Sequence, residues 1–387
     1  MTLRRRRVFA AMVPFLVLAA TPARADSTYS YVVRLGRDTL SLETVTRSPS
    51  QVRGEYIVRT PRSLHRTYSM DLAPDGTVRR FEMASRAMGS PPGVGETRAT
   101  IEFLGDSALV TTPRGDSTAT ARVRAGPGAV PSLNGVMGIM DQIAWQARGA
   151  LADSVVLAMV PLGGPVLRGN VVRTAPDTLL LVVDTPVGRV PPFRLVRDGD
   201  RSLVSFSGHG SVFQAEAERI SPPDLAAEAE AFADRPIGAL SSRDTVRATL
   251  GAAQLWLDYG RPWKRGREVF GDVVPWDIVW RTGANAATQF RTTHALRVRG
   301  KKLRAGLYSL WTLPSPRGWW LIVNAQSGQW GTQYDRASDV ARVKLELKPL
   351  AEPVEQLTLS LETRGDEGWL VIAWDHKRAS VPIRVER

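Results

Sequence analysis

The 387-residue chain contains no cysteine. That absence removes disulfide frameworks, thiolate zinc sites, iron–sulfur clusters, cysteine nucleophiles and a cysteine-anchored lipid from the functions open to it. Histidine is scarce as well. The four present, His65, His209, His294 and His376, stand at no metal-ligand spacing, and no His-Glu-x-x-His segment occurs. A phosphate-binding loop of the Gly-Lys-Ser/Thr type and a Gly-x-Ser-x-Gly nucleophile elbow are also missing; Ser207-Gly208-His209-Gly210-Ser211 has only a superficial likeness to the second. The sequence therefore assigns no catalytic residue, no metal site and no cofactor. Carboxylates such as Asp258, Glu268, Asp335 and Asp339 are dispersed, and a glycosidase pair or a calcium site would need the fold to bring them together.

What is present is a folded chain, with 43% hydrophobic and 23% charged residues and enough length for two separate cores. Arg4 to Arg7, the apolar run Val8 to Ala20 and Ala23-Arg24-Ala25 read as a secretory signal peptide over 1–25, with the mature chain starting at Asp26. The run is too short for a comfortable membrane span, so the expected location is periplasmic or extracellular, with no stable transmembrane span after processing. The formal charge is +13, and the five arginines within 1–25 account for enough of it to leave +8 on the remainder. Apart from Arg261, Lys264, Arg265, Arg267 and the pair Lys301-Lys302, the basic residues are scattered singly. That distribution predicts a solvated basic surface, weakly attractive to anionic lipid or polysaccharide, and no nucleic-acid partner.

Tryptophan divides the mature chain: ten of the 11 lie at or beyond Trp256, and only Trp145 precedes it. Two different cores follow, and the fold class expected is mainly β. In the first domain, 26–223, strands are predicted at Tyr29–Leu35, Asp38–Thr46, Gln51–Arg59, His65–Leu72, Val78–Met83, Ala99–Phe103, Ser107–Thr112 and Ser117–Val123, separated by Gly, Pro and Ser signals. The period then becomes helical over Asn134–Ala150, with Asn134 as its cap, before strand character returns from Val155 to Ser207. A curved antiparallel sheet packed on one helix is the expected arrangement. At fold level it resembles periplasmic carriers that hold lipid, so an apolar ligand beside the helix is one expected partner. The other reading makes Met137, Met140 and Trp145 ordinary core residues.

Ser221-Pro222-Pro223-Asp224 opens a short helix, with serine as its cap, within a helical linker placed at 224–245. From 246 to 387 the pattern is all-β, a sandwich or jelly-roll-like domain. Strands are predicted at Thr245–Leu250, Ala253–Tyr259, Trp276–Trp280, Thr288–Thr292, Ala295–Val298, Gly306–Leu313, Trp319–Asn324, Val340–Leu347, Gln356–Glu362 and Gly368–Asp375, with Ser380–Val385 closing the set.

This last stretch carries a set of motifs. They are Tyr259-Gly260-Arg261-Pro262, the run Lys264 to Gly271, Val274-Pro275, Val279-Trp280-Arg281-Thr282-Gly283-Ala284-Asn285-Ala286-Ala287-Thr288, Gly306 to Pro314, Asn324, Gln329-Trp330-Gly331, Tyr334-Asp335, Ala373-Trp374-Asp375 and Val381-Pro382. Together they resemble the bacterial domain family of unknown function DUF2911, over about 245–385. The resemblance implies an exported bacterial protein and no agreed activity. Two departures stand out: Pro275-Trp276 where the family usually has Pro-Tyr, and Ala286 where an acidic residue often follows the asparagine.

The polar constellation with most chemical content is Trp280, Arg281, Asn285 and Thr288, because arginine clamps a carboxylate, phosphate or sugar acid and asparagine offers a donor and an acceptor. Trp311, Trp319, Trp320 and Trp330 supply faces for stacking sugars or aromatic ligands, Tyr334 joins the ligand-binding candidates, and a glycan or peptide is the expected partner of this domain. On the structural alternative, Asn285 bonds backbone amides in a tight turn, Arg281 pairs with Asp335 or Asp339, and the tryptophans fill the core. The functional expectation is a non-enzymatic ligand-binding or envelope-associated protein. The alternative is a hydrolase of an envelope polymer or glycan.

Overall fold

The computed structural model describes residues 26–147, 154–185, 188–199, 202–209 and 214–386. The expected signal peptide, 1–25, lies outside the described residues, as do the end of the predicted helix at 148–150 and Gly210-Ser211 of the elbow-like segment. No helix among the described residues is long and apolar enough to cross a membrane.

Short alternating segments separated by turns produce β1 (Ser27–Leu35), β2 (Asp38–Arg47), β3 (Gln51–Val58), β4 (Leu64–Leu72), β5 (Val78–Ala87), β6 (Thr97–Leu104), β7 (Ser107–Arg114), β8 (Ser117–Arg124) and β9 (Val130–Ser132). Helix α1 (Met137–Gln146) follows, then β10 (Ser154–Pro161), β11 (Leu167–Ala175), β12 (Thr178–Thr185), β13 (Gly188–Arg197), β14 (Leu203–Ser207) and β15 (Glu216–Ile220). All fifteen strands form one open sheet in the order β8 to β1, then β15 to β9. Two meanders are thus joined where β1 pairs antiparallel with β15, Val32 facing Glu218.

Helix α1 joins the same two halves from inside. Its apolar residues Met137, Ile139, Ile143 and Ala144 are fully buried against the sheet. The residue at its N-cap is Val136, which has no side chain able to cap, and Asn134 does not serve. The cap comes from Glu43 on β2, whose carboxylate accepts the N–H groups of Met137 (2.6 Å) and Gly138 (3.0 Å) and the Tyr68 hydroxyl (2.6 Å). An anion at the positive end of a helix is the favoured arrangement, and it satisfies orphan donors that local sequence leaves unmet. Burial nevertheless pushes the Glu43 carboxyl up to about 7, against the downward pull of those three bonds. One turn on, Asp141 accepts the N–H of Leu203 on β14 (2.8 Å) and pairs with Arg47 on β2 (2.8 Å).

The outer face of this sheet is covered locally. Val32, Leu42 and Ile57 are direct cross-strand neighbours that point away from the main core. Helix α2 (Leu225–Phe232) lays Leu225, Ala229 and Phe232 over them, the i, i+4, i+7 stripe of an amphipathic helix. Asp224 caps it, accepting from the N–H groups of Ala226 and Ala227, in place of the serine expected at 221. The segment read as a linker is therefore partly a packed element, and the next strand already begins at Ser241.

The C-terminal strands are β16 (Ser241–Leu250), β17 (Ala253–Pro262), β18 (Thr288–Thr292), β19 (Leu296–Val298), β20 (Lys301–Leu303), β21 (Gly306–Leu313), β22 (Trp320–Asn324), β23 (Asp339–Lys344), β24 (Glu346–Arg364) and β25 (Glu367–Val385). They form a six-stranded sheet, β16-β17-β18-β21-β22-β23, and a four-stranded one, β20-β19-β25-β24. The two enclose one core that includes Leu257, Phe290, Leu321, Leu359 and Ile372, which makes a sandwich. Trp276–Trp280 is not a strand. It is a turn ended by a single bridge, in which Trp280 and Thr312 exchange both backbone hydrogen bonds (2.7 and 2.8 Å).

The basic cluster is not a solvated patch. Arg261 bonds Asp244 and the Leu357 carbonyl, and Lys264 pairs with Asp375. Arg265 reaches back to Asp38 on β2 (2.5 Å), and its carbonyl accepts the Arg37 N–H (3.0 Å). Arg267 donates to Gln214 (3.0 Å). These arginines hold the β1–β2 turn and the start of β15 against the sandwich.

Candidate functional site

Between β17 and β18 the chain runs from Trp263 to Ala287 with no regular strand, and this excursion shapes the site. It is pinned at several places. Beyond the Trp280–Thr312 bridge, Thr288 donates its N–H to the Arg281 carbonyl (3.2 Å) and its hydroxyl to the Thr282 carbonyl (2.9 Å). Thr282 sits fully buried at φ 52°, a strained conformation for a β-branched residue, held by a 2.7 Å hydroxyl contact with Thr312. The loop also lies directly on Gly260, where an added Cβ would come within 2.2 Å of the Ala284 carbonyl oxygen. A further pin is the hydrogen bond from the Gly331 N–H to the Asn285 carbonyl (3.0 Å).

Arg281 threads under that contact. A Cβ on residue 331 would fall 1.8 Å from Arg281 Cδ, so only glycine leaves room for the side chain. The Arg281 Nε is buried with no hydrogen-bond partner, and burial alone pushes the guanidinium down from its ordinary value to about 10. Neither Asp335 nor Asp339 reaches it. Asp335 caps the turn at 336–338, and Asp339 is taken by the Tyr334 hydroxyl (2.7 Å) and Arg342 (2.8 Å).

Arg281 opens on a cavity of about 450 Å³ at the junction of the two sheet systems. Leu35 and Gln214 enter it from the N-terminal side; Arg267, Trp280, Trp311, Tyr334 and Trp374 come from the C-terminal side. Of its described lining residues, none is aspartate, glutamate or histidine. Arg267 donates to the oxygens of Gln214, Trp263 and Lys264, none of them a carboxylate, and burial lowers its pKa. Trp280 and Trp374 stack, with centroids 6.0 Å apart, while Trp311 lies 5.0 Å from Tyr334.

Four of the residues picked from the sequence, Trp280, Arg281, Trp311 and Tyr334, line this cavity. Three do not. Asn285 is exposed at φ 62° and contributes its carbonyl to Gly331; its side chain caps no backbone amide, contrary to the turn reading. Thr288 is buried and bonded within the loop, and Trp330 is 39% exposed away from the cavity. Of the other two tryptophans, Trp319 is core and Trp320 is a surface ring under Lys344. Gln214 was beyond sequence reasoning, since it comes from the other module. Arg267 and Trp374 were visible as motif residues, but nothing in their spacing placed them beside Arg281. Among the described residues no group of three or more His, Asp or Glu side chains is arranged to hold a metal.

No curated protein matches the chain. Among solved structures, a DUF1089-family protein of Pseudomonas aeruginosa shares 12% identity, with a TM-score of 0.31 over 50% of this chain and 95% of its own. A beta-barrel-like protein of the DUF1849 domain of unknown function from Brucella abortus shares 11%, with a TM-score of 0.32 over 51% of this chain and 95% of its own. Residues 241–383, which carry the sandwich and all of the motif residues from Tyr259 to Pro382, match the model of the family described as protein of unknown function (DUF2911).

Proposed function

We propose that this chain is an exported, non-enzymatic binding protein whose ligand occupies the cavity at Arg267, Trp280 and Arg281. The observation that carries the reading is Arg281: it is partly buried at the cavity wall, its Nε is enclosed without a hydrogen-bond partner and no carboxylate pairs with it, and a cation held in that way is matched where a ligand supplies the missing charge. Export rests on the signal-like segment 1–25 and places the protein in the periplasm or outside the cell. The hydrolase alternative has less in its favour, because the described lining holds no carboxylate pair and no histidine, and its tyrosine hydroxyl is already bonded to Asp339 and Arg342. An apolar ligand beside α1 has less in its favour than the seam cavity, since Met137 and Met140 are closed against the sheet and the Trp145 ring lies over Gly76.

The test is a thermal-shift screen of residues 26–387 against a library of soluble metabolites, run on wild type and on Arg281→Met. At least one compound raises the wild-type Tm and leaves the variant unmoved. Hits that shift both proteins equally, or no hit in either, refute the site.

A further inference from the structure

We infer that the ligand of this cavity is a small organic acid, with one anionic head group at Arg281 and a flat, largely apolar body lying among the aromatic rings. The inference rests on the binding reading above and concerns the class of ligand alone.

Charge fixes the head group. Arg281 has no partner and Arg267 bonds only neutral oxygens, while no acidic residue stands among the described lining. An arginine fork in a water-poor site matches a planar carboxylate through two parallel hydrogen bonds. Hydrogen-bonding capacity fixes the body. The indole N–H of Trp280 already donates to the Gly283 carbonyl (3.0 Å), that of Trp311 to Ser309 (3.0 Å), and that of Trp374 to the Glu355 carbonyl (3.4 Å). The Tyr334 hydroxyl is held between Asp339 and Arg342 (2.7 and 2.6 Å). These rings therefore present faces and edges rather than donors.

A sugar would bring a ring of hydroxyls against aromatic rings whose own donors are spent, with Gln214, Ser241 and Thr332 the neutral polar side chains of the described lining. Each group left unpaired costs about 1–3 kcal/mol, whereas a flat apolar body loses nothing and gains burial. The volume of about 450 Å³ suits a small molecule. The glycan expected from tryptophan content alone is thereby disfavoured at this site.

Isothermal titration of residues 26–387 with indole-3-acetate, its neutral amide, galacturonate and inorganic phosphate tests the class, in wild type, Arg281→Met and the charge-keeping Arg281→Lys. Indole-3-acetate is expected to bind at least tenfold more tightly than the amide and more tightly than galacturonate or phosphate. That preference disappears in Arg281→Met and partly returns in Arg281→Lys. Tighter binding of galacturonate or phosphate, lost in Arg281→Met, overturns the apolar body and leaves an anion site standing. Equal binding of acid and amide overturns the anionic head group. If none of the four binds, the class is wrong; whether the site itself falls is then read from the metabolite screen, which does not presuppose a class.

Discussion

Arg281→Met is expected to make the ligand-free protein more stable, although it removes a residue of the proposed site. Burial lowers the guanidinium from its ordinary value to about 10, which corresponds to roughly 3 kcal/mol against the charged form. Methionine keeps an unbranched stem beneath Gly331 and removes the charge, and replacing a buried ion by an apolar side chain of similar shape typically gains up to about 1–4 kcal/mol. Allowing for imperfect repacking, we expect about 1–3 kcal/mol, seen as a rise of about 3–10 °C in the Tm of the C-terminal transition by calorimetry. The pH dependence gives a second signature. With the folded pKa below the unfolded one, the unfolded chain binds more protons once the pH passes about 10, so wild-type stability should rise with pH from there towards the ordinary arginine value. The variant should lack the rise. A lower Tm in Arg281→Met, with the alkaline rise still present, would refute the picture of an isolated buried cation.

Other substitutions test neighbouring contacts. Gly331→Ala drives a methyl into the Arg281 stem at 1.8 Å and should cost about 1–3 kcal/mol in urea unfolding while weakening any Arg281-dependent ligand. Glu43→Gln puts a donor against the helix N–H groups and should cost about 1–3 kcal/mol. Because the folded Glu43 carboxyl lies near 7 and its unfolded value near 4.5, the folded state holds the extra proton between them. Wild type should thus lose stability as pH rises from 4.5 through 7, and chemical denaturation of Glu43→Gln should show a flatter profile. Asp38→Asn removes the anion held by the mostly buried Arg265, and small-angle scattering should report a broader distribution of arrangements between the two modules; an unchanged curve would mean that this pair does not set their packing. Asp224→Ala should lower stability by about 1 kcal/mol and loosen α2, read by amide exchange at Ala226 and Ala227.

Much of the fold was legible because it is local. Two-residue alternation around Tyr31, Val33 and Leu35, and turn residues such as Asp75-Gly76, announce strands whatever the rest of the chain does. The helix cap was not legible, since Glu43 lies far from Met137 in sequence and its role exists only once β2 faces α1. The same holds for the basic cluster: four nearby cations look like surface until Asp38, Asp244 and Asp375 arrive from three different strands. At the site, Trp280, Arg281, Trp311 and Tyr334 were found because their types suit binding. Asn285 and Thr288 were chosen on the same grounds and prove to shape the loop instead. Residue type announces what a side chain can do, and only the packing decides whether it faces a cavity or its own backbone.

The junction of β1 with β15 bears on the order of assembly. Strands β1 to β8 can pair in sequence as they leave the ribosome or a translocation channel, each hairpin closing on its neighbour. The exposed edge of β1, however, waits for Glu216–Ile220, and α1 stays half covered until Leu203 reaches Asp141. Non-local closure of this kind is slow, and an open strand edge beside an uncovered apolar face is the form most prone to aggregate. The sandwich beyond Ser241 has its own core, although β19 also waits for the end of β25. A nascent chain should therefore depend most on chaperones before β15 is released, and truncations ending ahead of Ile220 should be far less soluble than those ending after it.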